Sequence, residues 1–307
     1  MSQLVLKLKA IGNSELWWRF RTSPPVIFAA VVLVVLVFCA AAAGLIAPHN
    51  PFDPATLNIM DARLPPVWID GGTGTYLLGT DEQGRDILST IFYGMRISIL
   101  VGLAAVAFSM TLGVALGLLA GYLGGWVDTI IMRLGDVQLS FPTIMIAFFI
   151  DGVAKIVMPL QMREEMRFYV VILAIGVADW VQFARTVRAA TMIERRKDYV
   201  AAARISEVSG FRILFTHILP NTIGPVLVLA TLGLGVAILT EAILSFLGLG
   251  MPPSQPSLGT LIRAGNDLLL SGEWWIALFP GAALVLLVLA VNIVGDWLRD
   301  VLNPRLR

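Results

Sequence analysis

Residues 97–123 read ISILVGLAAVAFSMTLGVALGLLAGYL, and no Asp, Glu, Lys, Arg or His interrupts them. An α-helix rises 1.5 Å per residue, so about 20 apolar residues cross the roughly 30 Å hydrocarbon core of a bilayer. This run is long enough to do so with residues to spare. In water, so long an uncharged helix would need a far larger core than one such chain can build. Gly113, Gly117 and Gly121 stand four apart and form one flat stripe, where a neighbouring helix can approach closely. The stretch therefore predicts a membrane-spanning helix packed along one face.

The rest of the chain agrees. Of its 307 residues 57% are hydrophobic and 14% charged, far from the composition of soluble domains. Val26–Ala47 carries no charge. It is longer than the apolar region of a signal peptide, and its basic leader is also long, so it reads as an uncleaved first span. Prolines at 48, 51, 54, 65 and 66, followed by Gly71-Gly72, make residues 48–96 a loop. Further spans are expected at Trp126–Ile150, where Arg133, Asp136 and Pro142 interrupt uniformity, and at Phe168–Val187, Thr222–Leu247 and Trp275–Gly295. A charged patch at residues 163–167 separates the third from the fourth. The fold class is thus an all-α membrane protein with six transmembrane helices.

Charge orients the six. Residues 1–25, 124–135, 185–221 and 296–307 hold fifteen of the 22 Lys and Arg; residues 48–96, 151–167 and 248–274 hold seven. The richer side is expected to be cytoplasmic, with both termini on it. Arg195-Arg196-Lys197 reads as part of this topology signal. Trp17, Trp18, Trp126, Trp274 and Trp275 fall near span ends, as interfacial anchors do. A net charge of +1 gives no footing for nucleic acid.

Residues 198–221, DYVAAARISEVSGFRILFTHILPN, are too polar to span. Tyr199, Ala202, Ala203 and Ile205, then Phe211, Leu214, Phe215 and Ile218, recur at helical spacing, with Gly210 between the groups and Pro220 at the end. This predicts two short amphipathic helices joined by a turn on the cytoplasmic side. The alanines keep one face slim enough for another protein to approach its backbone.

The same stretch resembles the Glu-Ala-Ala loop of binding-protein-dependent ABC permeases. Ala202-Ala203, Arg204 and Ile218-Leu219-Pro220 match its pattern, whereas Ala201 stands where Glu is usual and Glu207 where Gly is usual. Gly210 is the expected substitute for that glycine, with the turn displaced. Residues 78–98, LGTDEQGRDILSTIFYGMRIS, resemble the signature of the peptide/nickel permease subfamily, as do EAILSFLGLG at 241–250 and NIVGDWLRDVLNP at 292–304. Residues 150–180 match least, and Val181 stands where a proline is common. The single-span start and proline-rich loop are similar to the C-type subunit of dipeptide and oligopeptide permeases.

The resemblance implies an ABC type I importer transmembrane domain in the bacterial cytoplasmic (inner) membrane. It implies a segment 1–25, a first helix and periplasmic loop over 26–96, and a transporter domain over 97–307 whose coupling loop spans 188–221. It also implies a related B-type permease, two cytoplasmic ATPases, a periplasmic solute-binding protein, and transport of peptides by alternating access. ATP and Mg would be bound by the ATPases, with no cofactor on this chain. The coupling residues implied are Tyr199, Ala201, Ala202, Ala203, Arg204, Glu207, Gly210 and Pro220. Import of nickel, opines or other small solutes is the nearest alternative. An ion-coupled secondary transporter is a more distant one, disfavoured because no internal repeat is evident.

No Gly-x-x-x-x-Gly-Lys-Ser/Thr loop occurs, so the chain has no phosphate cradle of its own. Nor is there a Gly-x-Ser-x-Gly elbow. His49 and His217 are assigned to opposite faces of the membrane, which disfavours a shared metal site. Cys39, the single cysteine, excludes an intramolecular disulfide and reads as a packing residue. Asp179 and Glu241 are ionisable residues within spans, where charge is costly. Each is a candidate for the pathway or for packing.

Overall fold

The computed structural model describes residues 15–53 and 57–302. Lys7 and Lys9 of the basic leader, and Asn303-Pro304 of the C-terminal motif, lie outside the described residues. Three helices open the fold: α1 (Glu15–Arg21), α2 (Pro24–Ala41) and the single turn α3 (Ala43–Ile46). Ser23 precedes two prolines at the start of α2, positions where the missing N–H costs no helical hydrogen bond. Phe28, Val34 and Phe38 point outward from α2 and are largely exposed, an arrangement suited to lipid.

Helix α4 (Ile87–Leu123) begins ten residues before the uncharged run. Asp86 accepts a hydrogen bond from the Ser89 N–H and caps this helix, so the loop ends at residue 86 rather than 96. The glycine stripe then does what its spacing suggests. A Cβ at Gly117 would stand 2.5 Å from the Ala184 carbonyl oxygen, and one at Gly113 2.5 Å from the Phe183 Cβ. Only glycine lets helix α7 (Arg163–Glu194) lie this close along α4.

The third span is not one straight run. It is split into α5 (Gly125–Leu139) and α6 (Thr143–Val157), bent by 97° across residues 140–142. Pro142 supplies the reason: it has no N–H, and it drives the preceding residue out of the helical region. Counting that pair as one, six segments among the described residues are long and apolar enough to cross a membrane; five are continuous helices. The charged stretch 151–167 is mostly helical, because α6 runs to Val157 and α7 starts at Arg163.

After α8 (Asp198–Ile205), helix α9 (Gly210–Phe246) is continuous. The second amphipathic helix expected at 210–220 is therefore the first part of the fifth span, and Pro220 does not end it. Residues Ile213–Ile218 wind as a π-helix, with the Leu219 N–H donating to the Leu214 carbonyl. Proline cannot donate to the residue four before it, and its ring crowds that carbonyl; the wider winding carries the chain past. Helices α10 (Leu258–Leu268) and α11 (Trp275–Leu302) complete the chain. Trp126 and Trp18 are exposed near helix ends, but Trp275 is buried, with its indole N–H 3.4 Å from the Thr80 carbonyl. It is a core residue, not an interfacial anchor.

Candidate functional site: the segment between α7 and α9

Helix α8 divides its residues between two faces. Val200 and Ala203 turn inward and are buried with Leu118, Val187, Ile213, Leu214 and Ile218. Ala201, Ala202, Arg204 and Ile205 turn outward, and Ile205 is 84% exposed. The slim outer face therefore consists of Ala201 and Ala202; Ala203 belongs to the core, because it lies three residues from Val200 on the same side of the helix.

The end of α8 is a Schellman motif. The Val208 N–H donates to the Ala203 carbonyl and the Glu207 N–H to that of Arg204, both at 3.1 Å. Glu207 sits at the left-handed position with φ 57°. The turn is thus not displaced: Glu207 itself adopts the conformation that glycine favours. Gly210 has no positive φ and instead starts α9, where a Cβ would meet the Tyr122 hydroxyl at 3.1 Å.

Polar contacts fasten this segment to the helices on either side. The Tyr199 hydroxyl donates to Glu194, which also pairs with Lys197 at 2.6 Å. The Asn221 amide donates to the Tyr199 oxygen at 3.2 Å and to the His217 carbonyl at 2.7 Å. Burial, reinforced by the Glu194 carboxylate, pushes the Tyr199 hydroxyl above its ordinary pKa, so it remains a donor throughout the physiological range. The Arg204 guanidinium lies 5.7 Å from the centre of the Tyr122 ring, within cation–π range. Arg195 donates to the Tyr122 carbonyl at 2.6 Å.

Further along, Phe211 is 75% exposed and Phe215 about half exposed; their rings lie 4.5 Å apart. With Ile205, Arg204 and Arg212 also exposed, the segment turns apolar and basic side chains outward as well as the two alanines. Pro220 is exposed on the same stretch. Composition signalled Ile205 and the two phenylalanines only as helix-face residues; their outward aim required the tertiary packing.

The other sequence candidates lie elsewhere. Glu241 is fully enclosed: it accepts from the Ser245 hydroxyl at 2.6 Å and from Ser98 at 2.8 Å. Ser245 in turn accepts from Ser257 and the Met251 N–H, and Ser98 from the Leu258 N–H. The network joins α4, α9 and the start of α10. Asp179 is half-buried in the middle of α7, and its side chain has no hydrogen bond or ion pair among the described residues. His49 and His217 are far apart in the fold, His49 beside Asp86 at the start of α4 and His217 against Tyr199.

The 78–89 block is a structural clasp that sequence reading did not resolve. Asp81 is buried and accepts from the N–H groups of Gln83 and Arg85 and from the Arg85 guanidinium at 2.6 Å. This turn sets the start of α4 against the chain that follows α9.

Comparison with known proteins places these features in a family. Residues 113–307 match the family described as the binding-protein-dependent transport system inner membrane component. Residues 14–66 match the N-terminal transmembrane domain of oligopeptide transport permease C. The chain is 40% identical over 296 residues to the dipeptide transport system permease protein DppC of Escherichia coli K12, covering 95% of this chain and 93% of that one. It is 37% identical over 294 residues to DppC of Haemophilus influenzae, with 95% of both chains covered. The glutathione transport system permease protein GsiD of Pectobacterium atrosepticum is 36% identical over 297 residues, with 95% and 91% covered. With that match over most of its helical body, the chain belongs to the family of binding-protein-dependent transport system inner membrane components, multi-pass permease subunits of the bacterial inner membrane.

Proposed function

We propose that this chain is one of two permease subunits of an ATP-driven importer for dipeptides and other short peptides, and that α8 docks on an ATPase subunit. The observation that carries the reading is the outer face of α8. Ala201 and Ala202 are exposed there beside Arg204 and Ile205, on a helix held by Tyr199, Glu194 and Asn221. A fastened helix with a slim, exposed face suits a cleft on a second protein, and the names of those relatives support a peptide cargo.

In this reading the partners are a related permease, two ATPases that bind ATP and Mg, and a solute-binding protein on the opposite side of the membrane. Both termini and α8 lie on the ATPase side. Closure of the ATPases moves α8, and because α8 is fastened to both α7 and α9, the movement passes into two spanning helices at once. The pathway then turns from one side of the membrane to the other. Arg204, Glu207, Gly210 and Pro220 shape the docking segment, and Ala203 anchors it from inside. Glu241 holds α4, α9 and α10 together.

The test is uptake of a labelled dipeptide into proteoliposomes containing the full complex, with ATP inside the accessible ATPase compartment and the binding protein opposite. ATP-dependent accumulation is expected. Accumulation driven by an ion gradient without ATP, or uptake of nickel in place of peptide, would overturn the reading.

A further inference from the structure

At the end of the molecule opposite α8, the ends of α6, α7 and α9, helix α10 and the Asp81–Arg85 turn line an open cavity of about 520 Å³. That volume falls within the range of small-ligand sites, roughly 300–1,000 Å³. Its walls mix apolar residues, among them Met158, Met251 and Leu261, with a dense set of charged ones, and none of the roles above accounts for those charges.

The charges are unevenly matched. Asp151 is 3% exposed and is shared by two cations, pairing with Lys155 at 2.6 Å and with Arg167. The Arg167 guanidinium also lies 3.4 Å from the Gly248 carbonyl. Arg263 comes to the same glycine from another helix: a Cβ on Gly248 would stand 2.0 Å from its Nη1. Lys155 and Arg167 thus share one carboxylate, and Arg263 brings a further guanidinium to Gly248 beside Arg167. Arg85 and Arg163 are already engaged, the first with Asp81 and the second with the Met158 and Lys155 carbonyls. Arg263 has no carboxylate partner among the described residues.

Elsewhere on the lining stand three acids, Glu82, Glu164 and Asp267. None has a cationic partner among the described residues, and all are exposed. The cavity therefore has a cationic pole at Gly248 and acidic groups open to a cation.

We propose that this cavity is a binding site for a short zwitterionic peptide, with Arg263 taking its terminal carboxylate and the acids taking its amino group. A guanidinium presents paired N–H groups that match a carboxylate, and Arg167 beside it raises the local positive potential. Gly248 permits the approach, since any side chain there would occupy the space of the Arg263 guanidinium. The proposal rests on the peptide-importer reading and adds to it a station on the permease itself, distinct from the binding protein.

The experiment uses the complete complex in nanodiscs, with Cys39→Ser and a single cysteine at Ala264, a lining position. Modification by an anionic methanethiosulfonate is compared with that by a cationic one of similar size. The anionic reagent should react several-fold faster, and Arg263→Gln should remove most of that preference. Alanyl-alanine should slow modification saturably, and its C-terminal amide should be weaker by about tenfold or more, as loss of a charge-assisted contact implies. In Arg263→Gln the free peptide and its amide should become equivalent. Equal reagent rates, equal protection by peptide and amide in the parent protein, or undiminished discrimination in Arg263→Gln would each overturn the site. Alanyl-alanine uptake by the parent complex is measured in parallel. Uptake without protection at Ala264 removes the site and keeps the importer, whereas absence of uptake removes the importer reading whatever the cavity binds.

Discussion

Glu207 is an L-residue in the left-handed conformation, φ 57°, at the end of a helix whose outer face is proposed to dock on an ATPase. Left-handed backbone costs a residue with a Cβ about 1–2 kcal/mol. Glutamate lacks the short polar side chain by which Asn or Asp offsets that cost. Glu207 is exposed, and no side-chain contact of its own repays the strain among the described residues. Glu207→Gly removes the steric term but adds conformational entropy to the unfolded chain, so a net gain of about 0.5–1 kcal/mol is expected. The two hydrogen bonds of the Schellman motif, from Val208 and Glu207 to Ala203 and Arg204, report it directly. Hydrogen exchange of peptides covering residues 203–212 in the assembled complex should slow by roughly two- to fivefold. Glu207→Val, β-branched at the same φ, should act in the opposite sense and speed exchange. Unchanged or faster exchange in Glu207→Gly would refute the assignment of strain to this turn. So would a Glu207→Val protein indistinguishable from the parent.

Ala202→Arg should insert and fold normally, because its side chain starts from the exposed face, yet lose ATPase association and transport, since burying an unpaired charge costs several kcal/mol; co-purification of the ATPase at parental yield would contradict docking through α8. Gly117→Ala should lower the thermal inactivation midpoint, since its Cβ would meet the Ala184 carbonyl oxygen at 2.5 Å and overpacking costs roughly 1–3 kcal/mol. Glu241→Ala should destabilise more than Glu241→Gln in denaturant titrations, because alanine leaves both a cavity and the Ser98 and Ser245 hydroxyls without their acceptor; equal midpoints would argue against the network. In a Cys39→Ser background, single cysteines replacing Asn58 and Ser254 should react with an impermeant thiol reagent in whole cells, whereas one replacing Ser206 should not; the reverse pattern would invert the topology.

How far the sequence reaches is visible at particular residues. Charge-free runs and the Gly113, Gly117, Gly121 spacing determined that helices cross a bilayer and that one glycine face meets a neighbour. The physical cause is local: lipid accepts neither charge nor unpaired backbone, so a spanning helix declares itself in its own residues. The amphipathic pattern of 198–218 likewise located the docking candidate, and Pro142 and Glu207 were already conspicuous. Tertiary structure decided the rest. Pro142 could have kinked a single span or broken it, and packing of α6 beside α7 resolved that as a 97° bend. Pro220 could have ended a helix, but continuity with the apolar body of α9 carried the chain through it. Ala203 faces inward while Ala202 faces outward because Val200 fixes the rotation of α8 against Leu118 and Ile213. The charged residues from 151 to 167 had no role legible in the sequence until Arg263, about a hundred residues later in the chain, was brought to Gly248 beside Arg167. Burial and charge pairing depend on residues distant in sequence, and a one-dimensional pattern carries no record of which distant residue becomes the neighbour.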